Sequence, residues 1–363
     1  MIIGIDASRA ARQQRTGVEE YTYQIIRHLA KIDKQNKYRL YTDRVLPRSL
    51  MTVLPGNFEV RVLPFFRLWT QIRLAWELLI HPPDIFWVPA SAMPVLHPVN
   101  TIVTIHGLEF AYWPTAYTSW QRWYLKFSTK QAVAKSRRLI VVSHNTKNDL
   151  IRLYKAKPEK IRVVYNGHNR YSPVSDWRGL LSKYDLSDKG YFIFIGRLEK
   201  RKNVARLVEA FNLFAKQSKE AKLVLVGKPG AGFQQIKALI RNSPINRRII
   251  LTKYLAYPEL FALIAHARGL VYPSLYEGFG IPILDGLAMG IPVICSQTSS
   301  LPEVGGEAVL YCDPKSAPDI AQKLQMIWQG KWQPDQRKVI AQLQKFTWKR
   351  SAAQVQGILT EVE

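Results

Sequence analysis

Two carboxylates frame a stretch that otherwise reads as buried. In YEGFGIPILDGLAMGIPV, residues 276–293, Glu277 stands beside Gly278, and Asp285 follows eight residues later inside an apolar run. Carboxylates so placed either answer helix dipoles and cations or hold something polar in a pocket. If both lay on one helix, eight residues would separate them by about 12 Å of rise. Hydrolytic carboxylate pairs stand about 5–5.5 or 6.5–9.5 Å apart, so the spacing gives a glycosidase no support. Two acceptors gripping hydroxyls at different points of one ligand fit it better.

A second constellation lies in FIGRLEKRKNVARLVEAF, residues 194–211. A strand is expected to end at Gly196, Arg197 and Lys202 follow in a loop, and a helix is expected from about Asn203, a good N-cap. Two cations beside a helix N-terminus at the carboxyl end of a parallel strand suit a diphosphate. A solvated basic loop accounts for them equally well, since Lys200 and Arg201 are their neighbours. In GFGIP, Gly278 and Gly280 suggest a loop and Pro282 the start of another helix, with Ile283, Leu284, Leu287 and Ala288 on one apolar face. GKPGAG, residues 227–232, lacks the P-loop pattern, the two cysteines and seven histidines show no zinc spacing, and no clear D-x-D occurs.

Residues able to act must be positioned, and short apolar runs alternating with helical patterns would do so. Strands are expected at 2–6, 38–42, 58–63, 84–89, 101–106, 139–143 and 161–166, then at 191–196, 222–227, 248–252, 269–274, 292–296 and 308–312. These Val- and Ile-rich runs lack strict alternation, as strands buried on both faces do. With helical stretches such as 204–217 between them, they predict doubly wound parallel sheets. A chain of 363 residues exceeds one core and predicts two domains. The boundaries expected are 1–172, a polar linker at 173–188, 189–345, and a closing helix at 346–363 that packs back across the boundary. Ligands in such folds bind beyond the carboxyl ends of the strands, so two domains would face each other across a cleft.

Cys295 and Cys312 sit in apolar runs and read as buried thiols of a reducing compartment. No apolar run reaches the length of a membrane span, and MIIGIDASRA reads as a first strand rather than a signal sequence. The formal charge is +25, which favours a polyanionic partner: nucleic acid or an anionic membrane, with lysine-rich solubility as the plainer reading.

VSHNT (142–146), GRLEKRKN and the stretch YEGFGIPILDGLAMGIPVICSQTSSLPEVGGEAVLYCDP follow one another along the chain, and together they resemble the retaining glycosyltransferases of family 4. The resemblance spans almost the whole chain, is strongest over 191–314, and includes GIDASRAARQQRTGVEEYTYQIIRHLA (4–30) as the amino-terminal strand, loop and helix. It implies the GT-B fold, with an acceptor-side first domain and a nucleotide-sugar-binding second domain. Arg197 and Lys202 would hold the donor diphosphate, Glu277 would bind the transferred sugar, and Asp285, where the family usually has glutamate, would grip the ribose. Gly278, Phe279, Gly280 and Ile281 would complete the phosphate cradle with backbone N–H groups. His106 of TIHG would face the sugar, although Gly107 follows where aspartate is common, and Gly17 would sit in a loop near the diphosphate and acceptor.

The implied reaction is retaining and metal-independent, with no cofactor. It moves a hexose of mannose or glucose type to a glycan or lipid-linked acceptor, in envelope polysaccharide or glycolipid synthesis. GDP-mannose is the preferred donor and UDP-glucose the next. The alternatives are a basic nucleic-acid-binding protein, for which no recognition module is evident, and another GT-B enzyme such as a sugar-nucleotide epimerase, which lacks the two motifs together. The place expected is cytoplasmic, peripheral on the inner face of the membrane. Residues 112–138 carry that last expectation: six basic residues, no acidic one, and Trp120, Trp123, Tyr124 and Phe127 at helical spacing, with Arg122, Lys126 and Lys130 along another face. This segment is either a membrane-surface helix or, slightly favoured, a helix with its aromatic stripe in the core.

Overall fold

The computed structural model describes residues 1–169 and 171–361. Its first sheet has seven strands: β1 (Ile2–Asp6), β2 (Lys37–Thr42), β3 (Phe58–Val62), β4 (Ile85–Val88), β5 (Thr101–Ile105), β6 (Arg138–Val141) and β7 (Ile161–Val163), in the order β3-β2-β1-β4-β5-β6-β7. The second has six: β8 (Tyr191–Ile195), β9 (Lys222–Val226), β10 (Ile249–Thr252), β11 (Gly269–Tyr272), β12 (Val293–Ser296) and β13 (Leu310–Cys312), in the order β10-β9-β8-β11-β12-β13. Every pairing between these strands is parallel. Both sheets therefore follow the doubly wound Rossmann order, with switch points between β1 and β4 and between β8 and β11. Each apolar run expected to be a strand is one, a little shorter at some ends. β11 stops at Tyr272 because Pro273 has no N–H to continue the ladder.

The chain divides into two compact units. The first comprises Met1–Phe110, Thr118–Gly167 and Phe346–Glu363, the second Ala111–Tyr117 and His168–Lys345. Within the first unit, the closing helix Trp348–Thr360 packs on the helix Gly17–Ile32. Trp348, Ala352, Val355 and Leu359 are its buried side, spaced by four, three and four residues as an apolar helix stripe must be. The approach is close: a Cβ on Gly167 would lie 2.2 Å from the Trp348 backbone nitrogen, so no larger residue fits there. Val362 and Glu363, which the expected helix included, lie outside the described residues.

The stretch expected as a linker, 173–188, belongs to the second unit and is partly helical. Asp176 caps the helix Trp177–Lys183 by accepting from the Gly179 N–H at 2.9 Å, and Leu180 and Leu181 are buried. Two leucines among polar residues suffice to dock a short helix.

The expected core placement of the aromatic stripe in residues 112–138 is overturned. The helix Ser119–Lys135 buries Ser128, Thr129 and Ala132 and turns Trp120, Trp123 and Phe127 to solvent. Ser128 is fixed through its hydroxyl, which donates to the Ser91 carbonyl at 2.9 Å. Small side chains let the helix lie close to the sheet, so its bulky residues fall on the far side. Among the described residues, no helix is long and apolar enough to cross a membrane.

Candidate active site

The second unit gathers its charged groups at the β8/β11 switch point. After β8 the chain passes Gly196, where backbones meet: a Cβ on Gly227, at φ +154°, would stand 1.8 Å from the Gly196 carbonyl oxygen. Arg197 follows, exposed and without an ion pair among the described residues. A single 3-10 turn, Lys200–Lys202, then swings Arg201 and Lys202 inward, the latter only 9% exposed. From the neighbouring strand, the chain beyond β11 brings Glu277, 5% exposed, to meet them.

The meeting is tight. Lys202 Nζ donates to Glu277 Oε1 at 2.6 Å and to the Tyr272 hydroxyl at 2.5 Å, and that hydroxyl lies 3.1 Å from the same carboxylate oxygen. Arg201 Nη1 stands 3.1 Å from Glu277 Oε2 and donates to the Tyr276 carbonyl at 2.6 Å, while Nη2 pairs with Glu199 at 2.8 Å. Burial alone would raise the Glu277 pKa, but Lys202 and Arg201 outweigh it and hold the carboxyl down to about 2. Burial likewise pulls Lys202 below its ordinary value, against the opposing pull of Glu277. Removing one member of such a buried pair costs roughly 3–5 kcal/mol, because the other charge is left uncompensated.

Two expectations from the sequence are corrected. Arg201, grouped above with the solvated neighbours, is a member of the cluster, and only its adjacency to Lys202 pointed to it. Asn203 does not cap the helix Val204–Phe214 with its side chain. It takes a left-handed conformation, φ 60°, and its amide donates to the Pro273 carbonyl at 3.1 Å and the Pro314 carbonyl at 2.6 Å. The amide thus ties the loops after β11 and β13 to the start of that helix.

Beyond Glu277, the loop is held from below rather than loose. The Glu277 N–H donates to Ser299 Oγ at 2.9 Å, and Ser300 Oγ donates to the carbonyls of Glu277 and Phe279 at 3.0 and 2.8 Å. Gly278 and Phe279 lead to Gly280, whose φ of +115° suits glycine and where a Cβ would strike Leu301 at 2.7 Å. Ile281 then opens the helix Ile281–Ala288, with Pro282 in its first turn. Asp285 lies one turn further, buried beside Ile283, Leu284 and Leu287. Tyr112 stacks on Tyr276, ring centroids 4.5 Å apart, placing an aromatic pair next to Glu277.

The remaining candidates belong to the first unit. His106 follows β5, and its Nε2–H faces the Pro89 carbonyl at 2.7 Å while Tyr21 meets its ring edge-on. Burial pushes the imidazole down to about 4, partly opposed by the Pro89 hydrogen bond, so it is neutral at physiological pH. Gly17 was expected in a loop and is instead the first residue of the helix Gly17–Ile32, exposed, with open space where a Cβ would stand. Thr16 caps that helix, its N–H donating to Glu19 Oε2 at 3.2 Å.

An electropositive switch-point site in a twin Rossmann chain agrees with what the chain is similar to. The family model "Glycosyltransferase Family 4" matches residues 15–170, and "Glycosyl transferases group 1" matches residues 182–345. O-antigen chain mannosyltransferase B of Escherichia coli is 27% identical over 372 residues, covering 96% of this chain and 97% of that protein. Sucrose-phosphate synthase from Thermosynechococcus elongatus superposes with a TM-score of 0.77 at 19% identity, over 99% of this chain and 98% of that one. Anabaena HepE in complex with UDP and glucose superposes with a TM-score of 0.71 at 17% identity, over 99% of both chains. The structural likenesses give the fold as GT-B. With its two halves matched in sequence by the two models, the chain belongs to the group 1 glycosyl transferases of glycosyltransferase family 4 and is a glycosyltransferase.

Proposed function

We propose that this enzyme moves a hexose, mannose in preference to glucose, from a nucleotide-diphosphate sugar to a glycan or lipid-linked acceptor in envelope polysaccharide or glycolipid synthesis. The observation that carries the reading is the cluster of Lys202, Arg201, Tyr272 and Glu277 at the β8/β11 switch point, with Arg197 exposed beside it. Arg197 and Lys202 are assigned to the diphosphate, Glu277 to the sugar and Asp285 to the ribose. The N–H groups of Phe279–Ile281 are assigned to the phosphates, Gly17 to the neighbourhood of the diphosphate and acceptor, and His106 to the transferred sugar. The mannosyltransferase among the relatives supports mannose, and the UDP complex of HepE supports a nucleotide donor.

Retention of configuration fits the charges. Glu277 and Glu199 are both tied to cations, so neither is poised to take a proton from the acceptor. In the proposed step the acceptor oxygen attacks the anomeric carbon on the face the phosphate is leaving. The bond to the phosphate oxygen breaks, and that oxygen keeps the electron pair and takes the acceptor's proton. Arg197 and Lys202 stabilise the charge developing on the diphosphate, the work a divalent ion does elsewhere, so transfer is expected to survive EDTA. The reading includes a place at the inner membrane face, where the helix Ser119–Lys135 meets anionic lipid.

The test is a panel of nucleotide sugars incubated with membrane-derived and soluble acceptors, with products followed by mass spectrometry and anomeric configuration by NMR. Transfer from GDP-mannose with retention is the expected outcome. An inverted product, or a requirement for a divalent ion, would overturn the mechanism. A thermal shift with a nucleoside diphosphate but not with DNA separates this reading from nucleic-acid binding.

A further inference from the structure

The helix Ser119–Lys135 buries small residues and exposes its large rings among its cations. Its buried side is Ser128, Thr129 and Ala132, while Trp120 and Trp123 are 68% and 53% exposed and stack on one another at 4.9 Å. Trp123 continues the stack onto Phe127 at 5.5 Å. Exposed side chains stacked in this order make a continuous aromatic face, where single exposed apolar residues would need no explanation.

A second apolar stretch joins it from a distant part of the sequence. The chain after β3 exposes Phe66 (90%) and Leu68, then passes through a π-helical turn, Thr70–Leu74, into the helix Ala75–Ile80, which exposes Trp76 (61%) and Ile80. Gln71 in the π turn ties the two stretches together. Its amide nitrogen lies 3.3 Å from the Tyr124 hydroxyl on the aromatic helix and 3.2 Å from the Met93 carbonyl, and its oxygen accepts the Val95 N–H at 2.9 Å. Val95 and Leu96 are exposed beside it. The three segments all belong to the first unit.

The charge on this face has one sign. Arg122, Lys126 and Lys130 form no ion pair among the described residues, and Arg67 lies over the Phe66 ring at 5.2 Å. Glu77, the acid of the helix Ala75–Ile80, is buried and neutralised by Arg61 at 2.6 Å and Arg73 at 3.3 Å. Aromatic and aliphatic tips with free cations, and no exposed acid among these segments, match the boundary between lipid headgroups and acyl chains of an anionic leaflet. A protein partner of ordinary composition would bring no such uniform negative charge.

We infer that residues 65–80 and the helix Ser119–Lys135 form one composite docking face for an anionic bilayer, with Phe66, Trp76 and the Trp120–Trp123 stack entering the interface together. Two separate lines of anchors fix the orientation of the first unit on the membrane, which a single helix would leave free to roll about its axis. The inference extends the membrane contact proposed above, but it stands apart from the chemistry, because vesicle binding needs neither donor nor acceptor.

The experiment uses the full chain and vesicles of phosphatidylcholine with or without about a third phosphatidylglycerol. Co-sedimentation with the anionic vesicles is expected, and little with neutral ones. The double variant Phe66→Asp/Trp76→Asp should weaken that binding at least tenfold, as should Trp123→Asp, with the melting temperature and soluble donor hydrolysis unchanged. Bilayer-embedded brominated lipids should quench part of the wild-type tryptophan emission, and Trp76→Phe, a change too mild to unfold the chain, should remove some of that quenching. If Trp123→Asp abolished binding while Phe66→Asp/Trp76→Asp and Trp76→Phe behaved as wild type, the face would be the helix alone and the inference overturned. Equal binding to neutral vesicles would overturn it too, as would a concentration-dependent dimer that shields these tryptophans without binding vesicles.

Discussion

The loops around β8 and β11 and the outer face of the first unit both break the rule that apolar groups go inside and charges outside, and they break it in opposite senses. In the second unit, Lys202 and Glu277 are buried as an ion pair, with Arg201 and Tyr272 completing their hydrogen bonds. In the first, Trp120, Trp123 and Phe66 stand in solvent over a helix and a turn whose buried residues are largely small or polar. Buried charge is tolerated only where partners satisfy it, and exposed aromatic surface persists where something else covers it. The first departure carries its compensation within the fold. The second has none within its own unit, and the docking face inferred above would supply it.

The largest effect separates the two cations of the proposed donor site. Lys202→Ala should lower transfer by about 10²- to 10³-fold and also cost roughly 3–5 kcal/mol of stability, since it strips a buried partner from Glu277. Exposed Arg197→Ala should lower transfer by about ten- to a hundredfold, the loss of a charge-assisted contact of roughly 1.5–3 kcal/mol, with an unchanged melting temperature. Steady-state kinetics beside calorimetry would check both. A Lys202 variant as stable as wild type would show that the pair is not a compensated buried unit.

Next in size is the first unit's face. Changing Arg122, Lys126 and Lys130 together to Gln should reduce anionic-vesicle binding by about a hundredfold, at about 1 kcal/mol per cation, and raising salt should shrink the difference. Sedimentation across an ionic-strength series would read it, and donor hydrolysis should not change.

The Glu277 carboxyl gives a comparable effect on stability in acid. Its folded pKa of about 2 lies below the unfolded value of about 4.3, so its contribution is complete above that value and is lost as pH falls toward 2. Melting temperatures from pH 6 to pH 2 should fall steeply for the wild type. Glu277→Gln, already destabilised at pH 6, should lack that part of the slope.

A smaller effect is expected at Asp285. Asp285→Asn should raise the donor KM about tenfold while largely sparing kcat, and Asp285→Glu should be tolerated. Lost turnover with intact nucleotide affinity would reverse the roles assigned to the two carboxylates. The smallest concerns His106: already neutral through the physiological range, it should add no inflection to the rate profile between pH 5.5 and pH 8.

Local sequence carries local order, and that is what the chain determined by itself. The Val- and Ile-rich runs announced thirteen strands and two doubly wound sheets, because fully buried parallel strands must be apolar along their whole length. Residue type and spacing also singled out Lys202, Glu277, Asp285 and the basic aromatic segment. Tertiary structure alone decided who meets whom. Glu277 reaches Lys202 across 75 residues because the sheet order sets β8 beside β11, and neither segment contains that order. The same adjacency drew Arg201 inward and spent the Asn203 amide on two carbonyls rather than on a helix cap. In the aromatic helix, periodicity showed that Trp120, Trp123 and Phe127 share a side but not which side the sheet would take. Close packing took the serine, threonine and alanine, and left the large rings outside.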